Sequence, residues 1–244
     1  MKTIEFFSTV PGVAESFPIK HSRDCLPRWT IAARNDYMKE LKDTGNILNH
    51  VYRCPGIFDL LDCGFIVSMW HDVIIKTNGN LGGFSWIIPN SSLEEMLDKP
   101  LIGTHVEYLL KDIPKKPGSL EPFVKINTPW RIVAPKNVKF IILPIAYPDS
   151  FDYESVIGIL DPGISSEMNF HLRWNKTNDE ILLKAGTPLC QIIPLTPEKF
   201  NLECRYQNQK DLFWLKKEKY LRSFSFQPVR ALMKKVYYQH FSKD

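Results

Sequence analysis

The chain has 244 residues, of which 44% are hydrophobic and 24% are charged, and its formal net charge is +4. These values are ordinary for a soluble globular protein with one large core or two small ones. No run of about 18 apolar residues occurs, which excludes a membrane-spanning helix. The N-terminal apolar run is too short and too interrupted for a secretory signal, so we expect synthesis in the cytoplasm.

The net charge is unevenly distributed along the chain. Residues 205–244 carry a balance of +7, because ten lysines and arginines stand against three acidic residues, and the remainder is negative at −3. A basic segment of this kind is a candidate for contact with a partner. The five cysteines are an odd number and form no C-x-x-C motif, so we expect reduced structural thiols and no cysteine zinc site.

The first sixty residues mix chain breakers with short periodic segments. We predict a strand at 3–7, a helix at 30–41, and a short helix or turn that starts at 53–56 and runs through 57–63. Ile31, Met38 and Leu41 have the spacing of one apolar face of the first helix, and Gly64 is the expected C-terminal cap of the second.

From Gly64 onward, short apolar runs alternate with turn residues. We predict strands at 65–69, 73–76, 84–88 and 123–127, and a capped helical turn at 91–97. Residues 128–131 are interpreted as a turn because they contain Pro129. Residues 138–145 are almost wholly apolar, which is typical of a central strand buried on both faces.

The stretch 156–197 carries the clearest strand pattern. Strands are predicted at 156–160, 168–174, 180–183 and 189–195, and the tight turns between them favour a meander. Asp161-Pro162-Gly163 forms the first turn, in which Gly163 tolerates a positive φ. His171 falls on the polar side of its strand, where it either lines a cleft or lies on an ordinary surface.

These elements predict a mainly β fold. We expect an antiparallel β-clip or sandwich-like domain at 1–204, with a few short helices, and a basic, aromatic-rich helical extension at 205–244. The extension shows two amphipathic patterns, at 210–220 and 228–240. In the first of them Leu212, Phe213, Leu215 and Tyr220 stand against lysines.

The extension is the best candidate for contact with a partner. Its cations suit phosphates, and Tyr220, Tyr237 or Tyr238 could stack on nucleic-acid bases. Alternatively, the helices dock their aromatic face on the β domain and leave the cations in solvent. The candidate contact residues are Lys216, Lys217, Lys219, Arg222, Arg230, Lys234 and Lys235.

Familiar catalytic motifs are absent from the sequence. It contains no P-loop, no G-x-G-x-x-G after a strand and no G-x-S-x-G elbow, so we expect no cofactor. Trp70-His71-Asp72 fits a strand-end turn better than a metal site, because no further ligands accompany it. Asp161 and Glu167 could form a carboxylate pair, although Asp before Pro-Gly is also the usual choice of a tight turn.

Two segments resemble the central β-clip of the dUTPase and dCTP deaminase superfamily. They are I-G-I-L-D-P-G at 157–163 and I-L-L-K-A-G-T-P-L-C-Q-I-I at 181–193. Asp161 and Gln191 match that superfamily's motif positions, while His171 stands where its deaminases have a catalytic Glu. The early A-G-x-D-L motif and the late glycine-rich arm are not visible. The resemblance implies a small-ligand or deoxynucleotide-processing enzyme whose cleft lies near Asp161, His171, Arg173 and Gln191.

A longer resemblance covers roughly residues 50–200. R-C-P-G-I-F-D-L-L-D-C-G-F at 53–65, T-P-W-R-I-V-A-P at 128–135 and N-F-H-L-R-W at 169–174 are similar to segments of an uncharacterised family of tailed-phage and bacterial proteins. That family is known only as a domain of unknown function, and it supplies no catalytic residues. It implies a phage-type origin.

Three functional hypotheses follow. The first is a non-catalytic, phage-encoded binding or assembly protein that associates with itself or with other phage proteins, in the host cytoplasm or in the virion. The second is the enzyme with the cleft described above. The third is a nucleic-acid binder that uses the basic C-terminal extension. None of the three requires a membrane or a metal.

Overall fold

The computed structural model describes residues 1–45, 49–89, 99–104, 110, 112–222 and 228–241. Its architecture is mainly β with a few helices, as predicted. The strands are β1 (Lys2–Ser8), β2 (Lys20–His21), β3 (Phe65–Ser68), β4 (Val73–Lys76), β5 (Ser85–Ile87), β6 (Ile102–Thr104), β7 (Val124–Val133), β8 (Phe140–Leu143), β9 (Tyr153–Ser155), β10 (Gly158–Leu160), β11 (Glu167–Trp174), β12 (Glu180–Leu183), β13 (Pro188–Pro194) and β14 (Phe200–Tyr206). The α-helices are α1 (Val13–Ser16), α2 (Trp29–Thr44), α3 (Pro55–Asp62), α4 (Gln209–Arg222) and α5 (Pro228–Phe241).

The strands form three sheets. The first sheet has the order β14-β1-β7-β11-β9, with β6 also paired to β7. The second has the order β10-β8-β13-β3-β2, and the third has the order β12-β4-β5. The pairings are antiparallel except that of β1 with β14, which is parallel. The predicted domain boundary at residue 204 falls inside β14. None of the described helices has the length and apolar character that a bilayer crossing requires.

The predicted meander at 156–197 is wrong, although its strands are present. β10, β11, β12 and β13 lie in the second, first, third and second sheets respectively, so no strand of this stretch pairs with the next. The turns between them carry the chain from one sheet to another. One buried cluster of apolar side chains draws on all three sheets, and Trp130, Trp174 and Phe140 are among its largest members.

Strand β7 runs through the residues that sequence analysis interprets as a turn. Pro129 lacks a backbone donor, which normally interrupts a ladder. Here the Thr128 hydroxyl compensates, because it donates to the carbonyl of Met168 and accepts from the backbone N–H of Trp130. The pairing with β11 shifts register close by, between Glu167 and Asn169. Such a bulge lets a strand continue past a residue that cannot pair.

The run at 138–145 is not a strand buried on both faces. Only β8 within it is regular, and this strand is second from the edge of its sheet. Ile142 packs on the main core, whereas Ile141 is half-buried on the other face.

Two glycines have distinct physical roles. Gly64 ends α3 with a φ of 74°, as predicted, and a Cβ there would lie 2.2 Å from the carbonyl oxygen of Ile192. Gly163 is different, since its φ is not positive. A Cβ on Gly163 would lie 3.1 Å from the Lys234 side chain and 3.2 Å from the Tyr238 hydroxyl oxygen. Gly163 is therefore small because α5 approaches it, and not because the turn is left-handed.

The helix predictions hold for extent, and in α5 the predicted Met233 and Tyr237 are buried, but the orientation fails for α2 and α4. In α2, Ile31, Met38 and Leu41 are exposed, and Thr30 and Ala33 are the buried residues. In α4 the predicted Phe213 and Tyr220 are likewise exposed, whereas the partly exposed Leu212 and the half-buried Leu215 line the cleft described below. The buried residues of α4 are Asp211, Trp214, Glu218 and Leu221, and the Trp214 ring packs against Tyr237 and Phe241 of α5. The capped helical turn predicted at 91–97 lies outside the described residues.

Candidate functional site

The four residues proposed from the superfamily resemblance lie in different environments. His171 and Arg173 project from β11 on the outer face of the first sheet, where Arg173 donates to Glu154 and to the carbonyl of Pro114. Gln191 belongs to the second sheet. Asp161 lies in the turn after β10. None of the four lines the cleft described below.

Gln191 is occupied by structural hydrogen bonds. Its side-chain amide is 2% exposed and donates to the carbonyls of Cys63 and Leu60 at 2.7 and 2.8 Å, with Ser22 Oγ at 3.3 Å. These contacts attach the C-terminal end of α3 to the second sheet. The expectation that Gln191 faces a ligand is therefore wrong, because its amide N–H groups are consumed inside the protein.

Asp161 attaches the C-terminal helices. One carboxylate oxygen accepts from the N–H of Gly163, and the other lies 2.8 Å from Lys234 Nζ and 3.9 Å from Lys139 Nζ. Asp161 and Glu167 make separate ion pairs, so the expected carboxylate pair does not form. This geometry assigns Asp161 a role in docking α5.

The Trp70-His71-Asp72 segment is a strand-end connection. Asp72 accepts from the N–H of Ala185 at 2.7 Å, and His71 Nδ1 lies 2.8 Å from the carbonyl of Asp72. Within the described ranges, no three His, Cys, Asp or Glu side chains come together as metal ligands.

The aromatic residues of the C-terminal extension serve mainly to dock it. Tyr237 is fully buried, and its hydroxyl donates to the carbonyl of Ile132 and accepts from the N–H of Ala134. Burial also raises the pKa of Tyr237. The Tyr238 hydroxyl accepts from the N–H of Asn137. The expectation that Tyr237 could stack on bases is wrong, because no face of its ring reaches solvent.

The candidate cationic residues of the extension differ in their surroundings. Lys234 pairs with Asp161, Lys217 lies over the Phe213 ring, and the side chain of Arg222 lies outside the described residues. Arg230 and Lys235 are exposed on α5. Lys216 and Lys219 differ from these, because both face a cleft between α4 and the first sheet.

This cleft, which we call the α4 cleft, has a volume of about 330 Å³. Its floor is formed by buried or half-buried groups of β7 and β11, and its far rim by Lys99. Leucines and lysines one helical turn apart form the wall contributed by α4. The charged lining residues are Lys99, Arg131, Glu167, Lys216 and Lys219.

A network of hydrogen bonds beneath α4 fixes the wall. The buried carboxylate of Glu218 accepts from the N–H and the hydroxyl of Ser166, at 2.9 and 3.0 Å. The indole N–H of Trp214 donates to the same hydroxyl at 3.2 Å. At the start of the helix, Asp211 is fully buried against Arg205. These contacts set the distance between α4 and the sheet, and so the width of the cleft.

Glu167 is the single carboxylate of the lining, and its neighbours hold it ionised. Its Oε1 lies 2.6 Å from Lys99 Nζ and 3.8 Å from an Arg131 guanidinium nitrogen. Burial by itself would raise the pKa of Glu167, but the Arg131 charge and the contacts with Lys99 and Asn169 outweigh it and hold that pKa well below its usual range. Burial, together with repulsion by Lys99, also lowers the pKa of nearby Lys125. The lining thus carries four cationic side chains and one carboxylate.

No protein-family model and no curated protein sequence matches the chain. The proposed function therefore rests on the geometry of the α4 cleft.

Sequence analysis did not identify most of the cleft. Its interpretation of 128–131 as a turn concealed that Asn127 and Arg131 lie on one strand. The sequence did show polar residues at alternate positions of β11. Because β11 pairs with β7, this alternation places Glu167 opposite Arg131. Lys99 gave no such signal, because it precedes its strand by several residues.

Proposed function

We propose that this is a non-catalytic binding protein that holds an anionic ligand in the α4 cleft. The observation that carries the proposal is the charge of the lining: four cationic side chains surround one carboxylate, and that carboxylate is already paired. Anions are attracted to a site whose cations outnumber its local counter-charges. The volume of about 330 Å³ fits a small ligand, at the lower end of the usual range.

The chemistry of the cleft favours binding over catalysis. General acid–base catalysis requires a group with a pKa near the working pH. The pKa of Glu167 is displaced in the opposite direction, and no histidine or cysteine is among the described lining residues. Arg131 and the lysines can orient and neutralise an anion without exchanging a proton with it.

A phage-encoded origin, with residence in the host cytoplasm or the virion, is part of the same proposal. Its support is the resemblance of residues 50–200 to tailed-phage proteins.

We also propose that the protein associates with a second copy of itself. Within the described residues β10 pairs with β8 alone. Ile159 of β10 and Ile157, just before the strand, are exposed, and Ile159 lies beside the half-buried Ile141. An apolar edge strand tends to pair with another chain, and a second copy offers the matching antiparallel edge. Light scattering that detects only monomers at high protein concentration would contradict self-association.

Anion binding is tested by calorimetry and thermal melting with inorganic phosphate, sulfate and citrate, against sodium chloride of equal ionic strength. We expect at least one of the three anions to bind and to raise the melting temperature, because a ligand of the folded state stabilises it. The double variant Lys216→Ser/Lys219→Ser should bind the same anion roughly tenfold or more weakly, since each lost charge contact contributes about 1 kcal/mol.

The matched control is Arg230→Ser/Lys235→Ser. It removes the same charge from the same helical pair, at exposed positions outside the cleft. Equal weakening in both double variants would show a diffuse charge effect and contradict a specific site. No binding of any of the three anions to the unaltered protein would contradict the proposed function itself.

A further inference from the structure

A cavity apart from the α4 cleft lies where segments from all three sheets meet, and we call it the α1 pocket. It is formed by α1 with the turn before it, by the connection between β3 and β4, and by the turn between β12 and β13. Its volume of about 500 Å³ is within the usual range of small-molecule sites. Most of the lining is apolar, and it includes Val10, Val13, Phe17, Trp70, Pro89 and Ala185.

Hydrogen bonds hold the two connections of the pocket together. The N–H of Met69 donates to the carbonyl of Thr187 at 2.8 Å, and the N–H of Gly186 donates to the carbonyl of Met69 at 2.7 Å. The Asp72 carboxylate adds a third contact, because its Oδ1 accepts from the N–H of Ala185 at 2.7 Å. The α1 pocket is therefore formed before any ligand arrives, as most ligand sites are.

Two polar side chains of the lining, His71 and Asp72, present hydrogen-bond acceptors. His71 Nδ1 lies 2.8 Å from the carbonyl oxygen of Asp72. A carbonyl oxygen can only accept, so the proton of the neutral ring is assigned to Nδ1, and Nε2 is left as an acceptor. Neither His71 Nε2 nor Asp72 Oδ2 has a donor among the described residues. Both residues are half-buried, and neither of these two atoms is buried, unlike the indole nitrogen of Trp70 beside them.

We propose that the α1 pocket binds a small hydrophobic amine, whose ammonium group donates to Asp72 and His71 while its apolar body occupies the rest of the lining. No lysine or arginine is among the described lining residues, so Asp72 gives the pocket a negative charge. Such a charge attracts a cation and repels the anions that suit the α4 cleft. The two sites share none of their described lining residues, and this proposal does not depend on anion binding.

Calorimetric titration at neutral pH with 2-phenylethylamine, 2-phenylethanol and ethylamine tests the proposal. A hydrogen bond to an ionised group is about twice as strong as one between neutral groups, so the phenyl amine should bind roughly tenfold more tightly than the alcohol. Ethylamine should show no measurable binding, because it has no apolar body to bury.

The variant Asp72→Asn removes the charge and keeps an oxygen acceptor for the N–H of Ala185. It should lower the affinity for 2-phenylethylamine to that for 2-phenylethanol and leave the affinity for the alcohol unchanged, which also shows that the variant is folded. The matched control is Asp43→Asn, which removes the same charge at an exposed position of α2 and should retain the full preference for the amine.

The remaining outcomes would overturn the proposal. Equal affinities of the unaltered protein for 2-phenylethylamine and 2-phenylethanol would exclude recognition of the ammonium group. A preference that survives in Asp72→Asn, or that is lost equally in Asp43→Asn, would show that the charge in the pocket is not its cause. Absence of binding by both phenyl probes would exclude this class of ligand. Phosphate titration of the same samples separates each of these failures from a failure of the proposed function.

Discussion

Helix α2 and the C-terminal pair α4–α5 attach to the same β core in different ways. Trp214 and Tyr237 of the pair are 1% and 0% exposed, and the buried carboxylates of Asp211 and Glu218 have partners in and beside the first sheet. Helix α2 is attached at its N-terminal end, where the indole N–H of Trp29 donates to the carbonyl of Tyr147, and at its middle, where the Tyr37 ring lies against His50 and Tyr52. Most of its other side chains are exposed.

The difference shows that amphipathic spacing alone does not identify the buried face of α2 or α4, although it does place Met233 and Tyr237 of α5 correctly. Ile31 and Met38 of α2 are 63% and 54% exposed, and Phe213 of α4 is 61% exposed, although each belongs to a predicted apolar face. The buried face of α4 is the one whose carboxylates meet partners, since Ser166 and Arg205 are placed to receive them. Helix α2 has no comparable anchor, because its three carboxylates are all exposed.

The largest effect is expected for Trp214→Ala. Removing a fully buried indole leaves a cavity and breaks the hydrogen bond to Ser166, and we expect the free energy of unfolding to fall by about 3–5 kcal/mol. Chemical denaturation monitored by circular dichroism measures it. Phe213→Ala is the control, because its ring is mostly exposed and its loss should cost far less. Similar losses for the two variants would contradict the orientation of α4.

A smaller loss is expected for Glu218→Ala. This change leaves the buried N–H of Ser166 without its charged acceptor, and we expect a loss of about 1.5–3 kcal/mol. Glu218→Gln keeps an oxygen acceptor and should recover part of that loss. If both variants are as stable as the unaltered protein in denaturant titrations, the carboxylate does not anchor the helix.

Acid pH should lower the stability of the protein through the ion pairs of Glu167. The pKa of Glu167, in the sheet beneath α4, is lower in the folded protein than the usual value of about 4.3. Its contribution to stability is therefore complete above that value and is lost as the pH falls toward the folded pKa. Denaturation midpoints from pH 7 to pH 3 should fall less steeply for Glu167→Gln than for the unaltered protein. Parallel pH profiles would contradict the ion pairing of Glu167.

The smallest effect is expected in α2. Replacing Met38 or Ile31 by Ser should change the free energy of unfolding by no more than about 0.5 kcal/mol, because both side chains are mostly in solvent. Denaturant titration of the two variants measures this, with Ala33→Ser on the buried face as the reference. A loss above 1.5 kcal/mol for Met38→Ser would mean that α2 packs through the face predicted from its sequence.

The strands were the most predictable part of the fold, and their partners were the least. β11 alternates buried and half-buried residues along its whole length, so this strand could be predicted from the sequence. Its neighbours are β7, which is distant in the chain, and β9, from which β10 separates it, and no local pattern specifies which strand pairs with which. The floor of the α4 cleft was missed for the same reason, since Glu167 and Arg131 become neighbours only through that pairing.

The parallel pairing of β1 with β14 has a consequence for biosynthesis. Lys2–Ser8 is synthesised long before Phe200–Tyr206, so one of its edges stays bare until that strand has been made. A nascent chain that stalls between the two carries an open, apolar strand edge, which is where chaperones or aggregation act. The first sheet is thus completed only after its other strands have been made, shortly before the segment that forms the wall of the cleft.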